Sequence, residues 1–179
     1  GGLQKYIKYK YIHIKKRKNT MSIIKGKAYW AKLDRATNMF DADKPRWSID
    51  LSLDKKGVAL MEEEGIPVKN KDDDRGTFVT FTKDKFMQDG TELPKPRLID
   101  AKKNDMSGTL IGNGSVVKVA YYPYEWTYTL GNNARSGIKG ILKGVQVLNL
   151  VEYIPKDDFE EETGFVSNTP TEAIEIPFE

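Results

Sequence analysis

From residue 22 onward, apolar and polar positions alternate with a period of two, the spacing of strands that bury one face. "SIIKGKAYWAKL" and "RWSIDLSL" carry this alternation on β-branched and aromatic residues and predict the first two strands. Between them, "DRATNMFDADKP" reads as a polar loop with Met39 and Phe40 near its middle. The period changes at "LDKKGVALMEEEG", where Val58, Leu60 and Met61 give an apolar side to a short helix. Asp54 predicts its N-cap and Gly65 its stop. Strand character returns in "GTFVTFTKDKF", with Phe78 and an alternating Val79/Phe81 face, and "LPKPRLIDAKK" is extended and punctuated by proline. The turn "IGNGS" leads into "VVKVAYYPYEWTYTL", and the loop "GNNARSG" leads into the last long strand, "IKGILKGVQVLNLVEY". Gly137, Gly140 and Gly144 predict bends or bulges there, as a small closed sheet needs.

The chain therefore reads as all-β with one short helix. A five-stranded Greek-key barrel of the OB-fold type fits this order of elements, and a plain sandwich fits the same pattern. The folded domain is expected over residues 21–154. Residues 155–179 lack periodicity, are rich in acid, Thr, Ser and Pro, and predict a disordered tail. Residues 1–20 read either as a basic arm or as a leader upstream of a natural start at Met21.

Composition narrows the chemistry. Cysteine is absent and His13 is the only histidine, which excludes disulfides, thiolate nucleophiles, Cys/His zinc sites and histidine triads. The consecutive run Asp72, Asp73 and Asp74 is expected to be a solvated loop, because extended neighbours cannot aim all their carboxylates at one point. No catalytic residue, metal or cofactor is expected. No apolar run approaches the roughly 20 residues of a membrane helix, so no membrane association is expected.

The net charge of +3 conceals a gradient. Residues 1–20 carry seven cations and no acid, whereas residues 155–179 carry Lys156 against eight acids. A basic head, a mildly basic body and an acidic tail point to a polyanionic ligand with a built-in competitor.

The block "YYPYEWTYTL" supplies the second ingredient of a single-strand binder, ring faces on which unpaired bases stack. Pro123 predicts an irregular ladder just after Tyr122. If pairing resumes beyond it, Tyr124, Trp126 and Tyr128 share one side, and Glu125 and Thr127 take the other. Arg135, Lys139 and Lys143 lie just downstream, and Tyr122 and Lys118 complete the proposed contact set on this strand. Tyr121 falls in line with Val117 and Val119 and is expected in the core, as are Trp30 and Trp47. Phe40 is expected either to stack on a base or to bury against the barrel rim. Lys83, with Lys85, Lys102 and Lys103, is a further phosphate contact of low specificity.

Residues 98–153 resemble the single-stranded DNA-binding proteins of short-tailed bacteriophages. The matching pieces are "IDAKK", "IGNGSVVKV", "PYEW" and the closing "GVQVLNLVEY". Upstream, "AYWAK", "WSIDLSL" and the helix after it follow in the order that family uses, so the resemblance covers roughly residues 22–154. It implies an OB-fold protein that coats single-stranded DNA during phage replication and recombination in the cytoplasm of the infected bacterial host, without catalysis. It also implies a homodimer and an acidic tail that competes with DNA and docks the phage DNA polymerase and helicase–primase. Ile176, Pro177 and Phe178 are the docking residues so implied; Glu179 after Phe178 departs from tips that end on a phenylalanine carboxylate. An RNA-binding OB module and a non-catalytic phage structural or interaction protein are the rival readings.

Overall fold

The structure, a computed structural model, describes residues 20–155 and 157–167. Its elements in chain order are β1 (Ser22–Thr37), β2 (Arg46–Ser52), α1 (Lys55–Glu64), β3 (Lys69–Asn70), β4 (Thr77–Asp84), β5 (Arg97–Ile99), β6 (Ser115–Leu130) and β7 (Asn133–Asn149). The sheet runs β3-β4-β2-β1-β6-β7-β5, and an additional pairing of β4 with β7 closes it. Five strands thus form a barrel of the OB type, with the helix interrupting the strand series and β3 and β5 as short additions at the edges.

Closure depends on two parallel pairs, Phe81 with Gly140 and Thr82 with Ile141. A Cβ on Gly140 would stand 2.5 Å from Phe81 Cδ1, so only glycine lets the two backbones approach with the Phe81 ring between them. Inside the barrel, Ile49, Leu51, Phe81, Val117, Val119, Tyr121 and Leu142 are fully buried. The ring of Tyr121 packs against Phe81 at 4.8 Å between centroids, and its hydroxyl donates to Glu64 Oε2 at 2.7 Å. That bond ties α1 to the barrel. The helix forms as its sequence predicts: Asp54 Oδ1 accepts from the Gly57 N–H at 2.8 Å, and Gly65 ends it at φ 75°.

The "GNGS" turn does more than reverse the chain. The Gly114 N–H donates to Ala28 O at 2.8 Å, and Asn113 Oδ1 accepts from the Trp30 N–H at 2.9 Å. The buried Ser115 hydroxyl donates to Gly112 O at 2.8 Å and accepts from the Val151 N–H at 2.9 Å. One turn therefore latches β1, the start of β6 and the segment after β7.

Two expectations need correction. Trp30 is not in the core; it is 55 % exposed. Buried positions of β1 fall on even numbers at Ile24 and Ala28 and on an odd one at Leu33, because the β1–β2 register shifts between Tyr29 and Lys32. Trp30 sits at that shift with φ 49° and is turned outward. Pro123 does not interrupt the ladder: β6 is continuous and Pro123 pairs with Gly140. It lies just past the last β1 pair, Ser22 with Tyr121, so its missing N–H is tolerated on an edge that no further strand covers among the described residues. The irregularity falls instead between Ala120 and Tyr121, whose partners Gly144 and Leu142 leave Lys143 as an extra residue on β7. The aspartate run is an exposed loop, as expected, and Asp73 within it has a structural partner. Arg75, itself buried, pairs with Asp73 and with Asp50 (2.8 Å), and Thr80 Oγ1 donates to Asp50 at 2.7 Å. The bonds from Arg75 hold the Asp73 carboxyl below the usual carboxylate range. Among the described residues no cluster of acids could hold a metal ion.

Candidate nucleic-acid interface

Past Tyr121, β6 keeps only β7 as a strand neighbour among the described residues, and the two continue as a hairpin to Leu130 and Asn133. Strand alternation puts Tyr122, Tyr124, Trp126 and Tyr128 on one face. Directly across stand Ile141, Lys139, Gly137 and Arg135, each on the same face as its partner. The rings and cations expected as one stripe are thus brought together by register. Lys139 Nζ lies 5.8 Å from the Tyr124 ring centroid, and Lys143 Nζ lies 5.6 Å from that of Tyr122. Both distances are within cation–π range. Lys143, the extra residue of the β7 bulge, stays on the face of Ile141 and Lys139 by alternation.

Gly137 has a specific part in the stripe. A Cβ there would be 2.6 Å from Trp126 Cζ2, so the indole lies flat over the bare backbone of β7. Its lower face is supported, and Trp126 remains half-buried while Tyr124 and Tyr128 are about half exposed. Rings held this way lose little freedom when a base stacks on them.

Lys83 extends the stripe across the seam. Its Nζ donates to Pro94 O at 2.6 Å, and its ammonium is held below the ordinary lysine range by burial and by the neighbouring charge of Lys143. Two cations that raise each other's energy make a spot that an anion relieves. Burial, and then Tyr124, likewise push the Tyr122 phenol up.

At the other end of the stripe a groove of about 380 Å³ opens between β1, β5, β6 and β7. Ile23 and Ala120 line it with the cations Lys118, Lys143, Arg97 and Lys103. Lys103 is held in a tight turn (φ 68°) whose Asp100 carboxylate accepts from the Lys102 and Asn104 N–H groups. Arg97 was not evident in sequence, because β5 is three residues long and its pairing with β7 has no local signal.

The remaining expected residues lie elsewhere. Phe40 is 88 % exposed and Met39 82 %, in the loop that closes the Thr37–Arg46 end of the β1–β2 ladder; Phe40 is not buried against the rim. Lys85 pairs with Glu92 at 3.7 Å. Ile176, Pro177 and Phe178 lie outside the described residues.

No protein-family description and no curated protein matches the chain by sequence. Solved structures do match its fold. The crystal structure of gp2.5, a single-stranded DNA binding protein encoded by bacteriophage T7, is similar at a TM-score of 0.51 and 19 % identity, over 83 % of this chain and 100 % of that one. A C-terminal truncation of the single-stranded DNA-binding protein from bacteriophage Enc34 is similar at a TM-score of 0.51 and 14 % identity, over 76 % of this chain and 90 % of that one.

Proposed function

We propose that the chain binds single-stranded DNA without sequence preference, as a non-catalytic coat during phage DNA replication and recombination. The observation that carries this reading is the β6–β7 face, where four rings stand opposite or beside Arg135, Lys139 and Lys143. Every base has a π-face and every nucleotide a phosphate, so such a stripe gives affinity without reading sequence. Both similar folds belong to phage proteins described as single-stranded DNA binders, which supports the same reading.

The test is a titration of tryptophan fluorescence with oligo(dT) at several salt concentrations. Log affinity should fall steeply and linearly with log salt. Replacing Arg135, Lys139 and Lys143 together should flatten the slope by about 0.7 for each phosphate no longer neutralised. A flat slope in the unaltered protein would sink the reading and favour a protein-interaction surface. Matched RNA and DNA oligomers decide between the two nucleic acids, because the same stripe accepts either strand. In this reading the protein works as a homodimer in the cytoplasm of the infected bacterial host. Its acidic tail competes for the stripe and presents Ile176, Pro177 and Phe178 to the phage DNA polymerase and helicase–primase.

A further inference from the structure

A second aromatic platform lies on β1, away from the β6–β7 stripe. Trp30 is 55 % exposed, and its backbone is held at φ 49°, a region that residues other than glycine rarely adopt. The surroundings over-determine that conformation. Asn113 Oδ1 accepts the Trp30 N–H at 2.9 Å, and the Arg75 guanidinium carbon lies 3.8 Å from the indole centroid. Arg75 is itself fixed, with its guanidinium carbon 4.0 Å from the Phe78 centroid and its nitrogens on Asp50 and Asp73. A large apolar ring is thus pinned on one side and left open on the other. Strain kept in place by this many contacts is a mark of a working position.

The indole lines a cleft of about 630 Å³, a size usual for small-ligand sites. The cleft is also lined by Tyr153, 55 % exposed, and by Lys32 and Arg35. Its one acid, Asp34, is engaged by Lys95 at 3.8 Å. Two accessible rings, two cations and an acid already paired match the chemistry of a nucleotide within a single strand: a base for the rings and phosphates for the cations.

We infer that Trp30 and Tyr153 form a second base-stacking subsite, with Lys32 and Arg35 as its phosphate contacts, used by a strand that also lies on the β6–β7 stripe. This rests on the single-strand-binding reading above. It goes beyond that reading by placing part of the strand on a face formed by β1 and the segment after β7.

The test uses full-length protein labelled with 5-fluorotryptophan, whose three ¹⁹F signals are assigned by Trp→Phe variants and followed during titration with oligo(dT). With a strand of roughly two dozen nucleotides, the Trp30 and Trp126 signals should both shift and saturate together, while the buried Trp47 signal stays in place. Trp30→Ala should weaken binding of that strand by about 5- to 150-fold, and Trp30→Phe should retain most of the affinity. Tyr153→Ala, which leaves the Arg75 stack intact, should also weaken it and guards against a folding defect in Trp30→Ala. If no signal responds to oligo(dT), the single-strand-binding reading itself fails. If Trp126 responds and Trp30 does not, this inference alone is overturned. A Trp30 signal that moves with protein concentration in the absence of DNA would assign the cleft to contact with a second copy, and would equally overturn it.

Discussion

At the scale of single residues, two tyrosines one position apart behave in opposite ways. Tyr121 is fully buried and Tyr122 belongs to the exposed stripe, which is what strand alternation requires. Burial and the Glu64 carboxylate raise the Tyr121 phenol well above the ordinary tyrosine range of about 10. A group whose folded pKa is raised gives stability that is complete below the unfolded value and lost as pH rises toward the folded one. Unfolding midpoints should therefore decline above about pH 10, and Tyr121→Phe should flatten that decline while costing about 1 kcal/mol at neutral pH. Denaturant titrations across pH 8–12 check both. On the stripe the expectation is reversed: Trp126→Ala or Tyr124→Ala should weaken oligo(dT) binding by about 1–3 kcal/mol and leave the melting temperature nearly unchanged. Gly137→Val should reach a similar loss by pushing the indole off the backbone, with both of its neighbouring rings intact. Normal affinity in that variant would show that the flat seat of Trp126 is irrelevant.

At the scale of elements, the helix was legible because its signals are local. Asp54 and Gly65 bound it, and each makes the contact that its residue type predicts. Asp54→Ala should cost about 0.5–2 kcal/mol in a denaturant melt. The strands were legible wherever alternation stays in phase, as at Val117, Val119 and Tyr121. The register shift in β1 was not, because an inserted residue without a glycine changes the phase with no mark in the local pattern. Trp30 shows the consequence: its even position matches Ile24 and Ala28, yet the register shift turns it out to solvent. The bulge at Lys143 had a mark, because it lies beside Gly144, one of the glycines that predicted bends or bulges in this strand. Prolines mislead in the other direction. Pro123 looks like an interruption until one knows that β1 ends alongside Tyr121.

At the scale of the whole molecule, the rings and cations of the stripe could be named from sequence because they sit on one hairpin. The second platform could not, since Trp30, Arg75, Asn113 and Tyr153 meet only through long-range packing. The charge gradient also belongs to this scale. Residues 155–179 carry eight acids and one cation, and are the competitor of DNA in the proposed reading. Deleting them should tighten DNA binding at low salt and less at high salt, because the competition is electrostatic and screened. Equal affinities for truncated and full-length protein at low salt would reduce the tail to a solubilising extension.

The barrel seam has a kinetic consequence. Two ladder pairs, Phe81 with Gly140 and Thr82 with Ile141, join β4 to β7, and they come from distant parts of the chain. Their pairing closes a long loop, so it should follow formation of the β1–β2 and β6–β7 hairpins on the folding path. Contacts made after the rate-limiting step affect escape from the native state more than arrival at it. Gly140→Ala crowds Phe81 at that seam, and in stopped-flow chevrons it should speed unfolding while leaving the refolding arm almost in place. A slowed refolding arm would mean that the parallel seam belongs to the nucleus, and that the barrel closes before its hairpins are complete.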